Sequence, residues 1–248
     1  MADQPLVAVV LSGRAGARLW PVSREALPDT GMVLTVTNRN YYFLTRDEYS
    51  ELPAGTTRFK YLIEPFGRNT AAAIATAAKI VGGRLGAGAI MLVLPADHVV
   101  ADQTAFGTAV EETRSLAAAG WLVTFGVTPN RPETGYDYIK CGDRMKEGSG
   151  YAVADFVEKP DADRAAELVR SGQYLWNSGL FCFTAGAIGR AMLELCPEIL
   201  EIVSVAVGAE DCGVSPIFSG SGRARISAGH LDRLCCHGAM QSCRRGRR

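Results

Sequence analysis

Short apolar runs alternate with amphipathic segments along the first half of the chain. The runs are rich in aliphatic and β-branched residues, as is typical of buried strands, and they cover residues 6–11, 32–37, 61–64, 90–94 and 121–127. The segments between them have helical spacing, at residues 41–49, 71–81 and 103–119. Asp102 is placed to cap the third helix, and the glycines from Gly82 to Gly88 are expected to end the second. This alternation predicts an α/β fold with a largely parallel sheet, in which ligands bind beyond the carboxyl ends of the strands.

The pattern changes after Pro129. Hairpin-like polar segments cover residues 134–140 and 153–160, helices are predicted at 162–170 and 187–195, and an aromatic segment lies between them at 174–183. We find no repeat and no linker rich in Pro, Gly or Ser, so residues 1–222 are predicted to form one domain. Residues 223–248 carry seven arginines against one acid, without apolar periodicity, and are predicted to be a basic disordered tail.

Composition narrows the class of protein. The chain has 248 residues, 48% of them hydrophobic, and 26 basic residues balance 26 acidic ones, so no global charge favours nucleic acid or an anionic membrane. The first residues lack the basic start of a signal peptide, and no apolar run is long enough to span a bilayer. Seven cysteines without C-x-x-C spacing argue against a disulfide framework and a zinc site. We therefore expect a cytoplasmic protein with reduced thiols.

The most informative stretch is residues 11–25, which directly follow the first predicted strand. Its glycines allow close approach of the backbone to an anion, turn N–H groups can donate to phosphate oxygens, and Arg18 supplies fixed charge. A glycine-containing turn after a strand can equally do no more than reverse the chain.

Five segments in order resemble the bacterial sugar-phosphate nucleotidyltransferases of the mannose-1-phosphate guanylyltransferase (GDP-mannose pyrophosphorylase) type. They lie at residues 11–25, 64–71, 94–98, 156–160 and 176–181. The resemblance extends over roughly residues 6 to 200. It implies a Rossmann-like, three-layer α/β/α nucleotidyltransferase domain with a mixed, mostly parallel central sheet. It also implies transfer of GMP from GTP to α-D-mannose 1-phosphate, giving GDP-mannose and pyrophosphate.

The same resemblance implies a nucleotide site. The residues that it places there are Leu11, Ser12, Gly13, Gly16, Arg18, Glu64, Arg68, Asn69, Thr70 and Pro95. Arg18 and Asp97 would be catalytic, and Asp97 would hold Mg²⁺, a hard cation that favours carboxylate oxygen. The alternative for Asp97 is a strand-end aspartate that caps the next turn. His98, beside it, is expected to be structural.

For the sugar phosphate, the resemblance implies contacts from Gly135, Tyr136, Glu158, Lys159 and Asn177. Each has an ordinary alternative: Glu158 and Lys159 as a solvated charge pair, Asn177 as a turn residue, and Tyr136 as part of the core. The implied partners are GTP and mannose 1-phosphate, with no nucleic acid and no membrane, and a homodimer is compatible with the resemblance.

Three departures from the family pattern stand out before the tail. Arg14 and Asp137 occupy positions where the family has glycine, and an acid at Asp137 would repel a phosphate. Near residues 28–36 the chain is shortened, because the family's Pro-Lys-Gln-Phe segment, with a lysine that contacts the reacting phosphates, and the helix after it are missing.

The fourth departure is the C-terminus, where a frameshift would explain the tail. Residues 230–241 can be encoded so that the next reading frame gives Ile-Ser-Ile-Asp-Tyr-Ala-Val-Met-Glu-Arg-Cys. That string matches the family's next motif, whose aspartate is the second Mg²⁺ ligand.

Two hypotheses follow: a guanylyltransferase by descent with impaired activity, or a non-catalytic protein that binds nucleotide or sugar phosphate. Calorimetric titration and a turnover assay distinguish them.

Overall fold

A computed structural model describes residues 4–12, 31–51, 57–64, 70–100, 102–146, 150–208, 234–237 and 243–245. Contacts divide the chain into two compact units. The first takes the described residues up to Val99 together with those from Thr184 to Gly208; the second takes Val100 to Phe183 and the segment 234–237. No linker marks this division, because the chain changes units within or next to regular elements, and the single domain over residues 1–222 stays a prediction.

The first unit contains four parallel strands: β1 (Leu6–Ser12), β2 (Met32–Asn38), β3 (Arg58–Glu64) and β4 (Ile90–Pro95). Their order is β3-β2-β1-β4. Val7 to Val9 and Met91 to Leu94 have no exposed surface, as expected for strands covered on both faces. The predicted strands are confirmed, and the parallel pairing brings their carboxyl ends to one edge.

Helices of the first unit are α1 (Arg39–Ser50), α2 (Thr70–Leu85), α5 (Ala185–Leu195) and α6 (Pro197–Gly208). The Asn38 side chain caps α1 by accepting from the N–H groups of Asn40 and Tyr41, at 3.0 and 3.3 Å. The sequence did not predict α6, whose β-branched residues have low intrinsic helix propensity.

The end of α2 was predicted wrongly. The helix continues through Gly82 and Gly83 to Leu85, and Gly86, with φ 90°, follows it in the left-handed conformation. A Cβ placed on Gly82 would lie 3.5 Å from Cβ of Ala185 on α5. Packing against another helix, which the local sequence does not show, therefore outweighs the intrinsic cost of two glycines.

The second unit contains β6 (Leu122–Val127), β7 (Tyr138–Arg144), β8 (Gly150–Val157) and β9 (Tyr174–Thr184, up to Phe183). Strands β7 and β8 form the predicted antiparallel pair, and β9 runs antiparallel to both β6 and β7. Helices α3 (Gln103–Ala118) and α4 (Ala162–Ser171) begin at the caps Asp102 and Asp161. The predicted α/β class with a mixed sheet is confirmed.

Part of the predicted disordered tail is ordered. Strand β10 (Leu234–His237) lies between β6 and β8, parallel to the first and antiparallel to the second. Two short strands, β5 (His98–Val100) and β11 (Cys243–Arg245), have residues in both units. Strands β6 and β8 both offer backbone hydrogen-bonding groups to a strand placed between them. Because backbone pairing accepts almost any side chain, four residues without apolar periodicity can pair there. The remaining residues of 223–248 lie outside the described ones.

Candidate functional site

The first unit brings the described members of the predicted nucleotide group to one edge of its sheet. Leu11 pairs with Pro95, and Glu64 pairs with Asn38, all at the carboxyl ends of parallel strands. The Ala96 N–H donates to the Leu11 carbonyl at 3.0 Å, which ties the turn after β4 to the end of β1. This edge is where open parallel sheets bind their ligands.

Buried hydroxyls mark the same edge. Ser12 and Thr37 are register partners on β1 and β2, and their residues are only 2% and 1% exposed. Neither hydroxyl oxygen has a hydrogen-bond partner among the residues that the structure describes. Since buried hydroxyls are normally satisfied, the two are available to a ligand or to a neighbouring segment at this edge.

Asp97 lies in the turn after β4, with 71% of its side chain exposed. Its Oδ1 is 3.5 Å from Nδ1 of His98, a residue that is almost wholly buried. An exposed carboxylate beside the ligand-binding edge fits Mg²⁺, which proteins often hold through one or two carboxylates together with substrate phosphates. Within the described ranges, no group of three or more His, Cys, Asp or Glu side chains could hold a metal by itself.

Glu64, the last residue of β3, is an unusually weak acid for a carboxyl group. Burial raises its pKa from 4.5 to about 7. Near neutral pH, Glu64 is therefore poised between a carboxylic acid that donates a hydrogen bond and a carboxylate that only accepts. Thr70, also predicted to be near the nucleoside, is the exposed first residue of α2.

The other members of this group lie outside the described residues. They are Gly13, Gly16, Arg18, Arg68 and Asn69, and Arg14 and the shortened segment near 28–36 also fall there. Their roles remain predictions from the sequence.

In the second unit, Asn177 is the centre of a polar network. Its Oδ1 accepts from the backbone N–H of Gly179 at 3.2 Å and from the hydroxyl of Thr124 at 2.9 Å. Because a backbone N–H can only donate, this contact fixes which end of the amide is oxygen. The Asn177 amide nitrogen is therefore directed to its other partner, the carboxylate of Asp137.

A bulge in β9 creates this arrangement. Pairing with β6 shifts register between Thr124 and Gly126, and Gly179 adopts φ 72° within the irregular stretch. Ser178 supports it by donating to the Phe125 carbonyl at 2.7 Å. The Asn-Ser-Gly sequence is therefore a bulge inside a strand rather than the chain-reversing turn that was its alternative.

Asp137 joins the two predicted sugar-phosphate contacts. Its carboxylate receives hydrogen bonds from the Asn177 side chain and from the backbone N–H of Lys159, and its backbone carbonyl accepts from the Asn177 N–H at 2.8 Å. Burial raises the pKa of Asp137, while these hydrogen bonds and the Lys159 charge oppose the rise. Its Oδ1 is buried without a partner among the described residues, so the hydrogen bonds fall on the other oxygen.

Glu158 and Lys159 directly follow β8 and are exposed. Lys159 has φ 38°, and it is the only non-glycine residue with positive φ in the described part of the chain. Such strain in a residue with a Cβ persists only where its surroundings hold it, and it is frequent at binding sites. The backbone that carries the pair is therefore constrained, while both side chains are exposed to solvent, and their contacts with the sugar phosphate stay a prediction.

An aromatic group adjoins this network. Tyr136 packs edge-on against Trp176, with ring centroids 5.0 Å apart, and Trp176 belongs to a small core cluster of the second unit. The Tyr138 hydroxyl holds the preceding loop by bonding both the N–H and the carbonyl of Glu133, at 2.9 and 3.0 Å. Gly135 lies in this loop, where an added Cβ would meet nothing within 4 Å. Tyr136 therefore packs against the core, as its alternative predicted, and it does so through Trp176, the residue before Asn177.

Thr124 and Ser178 were not predicted as site residues from the sequence. Thr124 is separated from Asn177 by 53 positions, and nothing in its local sequence distinguishes it from other strand threonines. Asp137 was noticed only as a departure from a family pattern.

Comparisons with known proteins agree with the sequence motifs. The sequence profile of the family described as Nucleotidyl transferase matches residues 29–222. The chain is 39% identical over 233 residues to a mannose-1-phosphate guanylyltransferase of Escherichia coli, with 84% of this chain and 49% of that protein covered. It is 39% identical over 221 residues to the alginate biosynthesis protein AlgA of Pseudomonas syringae, with 79% and 45% covered. The chain thus spans about half the length of the curated relatives it matches.

Two solved structures share the fold. One is described as a mannose-1-phosphate geranyltransferase from Thermus thermophilus, with TM-score 0.70, 27% identity and coverage of 94% of this chain and 74% of that one. The other, a mannose-6-phosphate isomerase from Helicobacter pylori, has TM-score 0.79, 24% identity and coverage of 97% and 99%, and at that identity it indicates the fold alone. No helix in the described ranges is both long and apolar enough to cross a membrane.

Proposed function

Because the chain belongs to the nucleotidyl transferase family, we propose that it binds GTP and mannose 1-phosphate and descends from enzymes that make GDP-mannose and pyrophosphate from them. The single observation that carries the proposal is the 39% identity over 233 residues to a mannose-1-phosphate guanylyltransferase. Both residue groups support it, since each contains the donors and acceptors that its half of the reaction needs.

In this reaction an oxygen of the sugar phosphate attacks the α-phosphorus of GTP in line, and pyrophosphate leaves as the P–O bond to the β-phosphate breaks. No covalent nucleophile of the protein is required, so its residues position the reactants and neutralise charge. Mg²⁺ would be held by Asp97 and would neutralise phosphate charge. The hydroxyl of Ser12 and the backbone at Leu11 and Pro95 would contact the nucleotide.

The second unit would bind the sugar phosphate. The Asn177 amide, with its oxygen already occupied by Thr124 and Gly179, presents its N–H₂ group as a donor. Lys159 would pair with the phosphate, and Glu158 would accept hydrogen bonds from sugar hydroxyls. The strained backbone of Lys159 supports this assignment because it fixes the start of the side chain before any ligand binds.

Nucleotidyl transfer by this chain is proposed to be impaired. The alignment with the Escherichia coli protein runs over 233 positions but takes in only 84% of the 248 residues, so some positions of that protein face gaps in this chain. This agrees with the loss of the lysine-bearing segment near residues 28–36. Preorganised groups that stabilise transition-state charge contribute roughly 10²- to 10³-fold each, so the loss of this lysine and of a second metal ligand would leave little turnover.

The same gaps favour a second candidate: a non-catalytic protein that retains nucleotide or sugar-phosphate binding. One experiment separates the two. The purified 248-residue chain is incubated with GTP, mannose 1-phosphate and Mg²⁺, and GDP-mannose and pyrophosphate are quantified. In parallel, calorimetry measures binding of each substrate to the chain and to D97N and N177A variants.

We expect binding of both substrates with little or no product. Slow product formation that D97N abolishes would identify the impaired enzyme, and binding with no product would identify the non-catalytic protein. Robust turnover would contradict the proposed impairment. Absence of binding by either substrate would contradict the proposed function altogether.

A further inference from the structure

Resting on the proposed function, we propose that Asp137 is a specificity-determining residue that weakens binding of the anionic sugar phosphate by occupying the Asn177 donor intended for it and by placing a like charge beside the phosphate. The Asp137 carboxylate accepts hydrogen bonds from both the Asn177 amide and the Lys159 backbone N–H. The Asn177 amide is a donor assigned to the sugar phosphate, and the Lys159 side chain, which is assigned to its phosphate group, attracts the same carboxylate. A ligand phosphate must therefore compete with an acid that the protein itself supplies.

Asp137 does not have the features of a stabilising core residue. Its Oδ1 is buried without a hydrogen-bond partner in the described part of the chain, and burial raises the pKa of the carboxyl group. A buried acceptor without a donor disfavours the folded state. Together with the strained backbone at Lys159, this unsatisfied oxygen indicates that the cluster is built for binding rather than for stability.

The charges around Asp137 show for which cation Asp137 and a ligand phosphate would compete. Lys159 attracts the carboxylate and Glu158 repels it, while Arg131 and Glu133 on the preceding loop pair with each other at 2.6 Å. Lys159 is thus the cation that acts on Asp137. A phosphate arriving at Lys159 meets a like charge beside it, whereas an uncharged sugar meets no such repulsion.

The experiment compares ligands that differ in charge. Calorimetry measures the affinities of the full chain for mannose 1-phosphate and for methyl α-D-mannoside at pH 8. The variants are D137N, which keeps the shape but removes the charge, and D137A, in case one variant fails to fold. D143N is the matched control, because Asp143 is exposed on β7, the strand that directly follows Asp137, and lies about 20 Å further along the chain.

We expect D137N to bind mannose 1-phosphate at least tenfold more tightly than the unaltered chain, with no gain for the uncharged mannoside and no change in D143N. The advantage should shrink as the pH is lowered, because burial raises the pKa of Asp137 and its protonation removes the charge in the unaltered chain, while ionisation of the ligand affects both proteins equally. Thermal unfolding of D137N should be no less cooperative, since the variant relieves a buried charge.

Equal affinities of D137N and the unaltered chain for mannose 1-phosphate would overturn the inference and leave the proposed function standing. Weaker binding by D137N would also overturn it and would make Asp137 a favourable contact. If neither protein bound mannose 1-phosphate, the inference and the sugar-phosphate part of the proposed function would both fail.

Discussion

Glu64 makes the stability of the fold depend on pH in an unusual direction. Burial raises its folded-state pKa to about 7, whereas the unfolded chain returns it to 4.5. Between these two values the folded protein retains a proton that the unfolded chain releases. Its contribution is therefore fully present below pH 4.5 and is lost as the pH rises through 7. This is the reverse of the behaviour of a salt-bridged carboxylate.

The size of the effect follows from the same two values. Each unit of difference corresponds to about 1.36 kcal/mol, so the upper limit is about 3 kcal/mol, and part exposure of Glu64 to solvent reduces the expected figure to about 2 kcal/mol. The perturbation is E64Q, which keeps the shape of the side chain and removes the ionisation. The difference in unfolding free energy between the two proteins isolates Glu64 from other acids.

Urea unfolding of both proteins, followed by circular dichroism at pH 5, 6, 7 and 8, provides the assay. The unaltered chain should lose about 2 kcal/mol relative to E64Q across this range, while E201Q, at an exposed position on α6, should follow the unaltered chain. A carbon-13 NMR titration gives the pKa of Glu64 directly. Parallel pH profiles for the unaltered chain and E64Q, or a carboxyl carbon that titrates near 4.5, would refute the reasoning.

Three further substitutions test other parts of the structure. T124V removes a hydroxyl that orients the amide of Asn177. By calorimetry we expect about fivefold weaker binding of mannose 1-phosphate and an unchanged affinity for GTP. Equal weakening for both ligands would contradict a local role of Thr124. G126A places a Cβ 2.9 Å from Cβ of Leu175 and should cost about 1–3 kcal/mol in urea unfolding, an expectation that fails if stability is unchanged. D161A removes the cap of α4 and should cost about 1 kcal/mol, whereas D161N should retain most of the stability.

Local chemistry was sufficient to predict most elements. The strands β1, β2, β4 and β6 are rich in aliphatic and β-branched residues, and the predicted cap at Asp102 begins its helix by accepting a backbone N–H. The predicted end of α2 failed because packing against α5 outweighs the cost of its glycines. Residues 234–237 join the sheet because backbone pairing accepts almost any side chain.

The candidate site, too, could be predicted from the sequence only in part. The sequence by itself determined which chemical groups are present: small residues after Ser12, an aspartate after β4, and the Glu158–Lys159 and Asn-Ser-Gly segments. Parallel pairing of the strands then follows from their alternation with helices, so the edge that carries Leu11, Pro95 and Asp97 could be anticipated.

Only the tertiary structure decided how those groups act. The bulge in β9 turns Asn177 toward Asp137, Thr124 arrives from 53 positions away, and the left-handed backbone of Lys159 is held by its surroundings. Burial, which no single segment specifies, raises the pKa of Glu64 to about 7. Hydrogen-bond direction, backbone strain and desolvation depend on neighbours distant in sequence, and for that reason residue types alone predicted candidate groups but not the hydrogen bonds that Asp137 accepts.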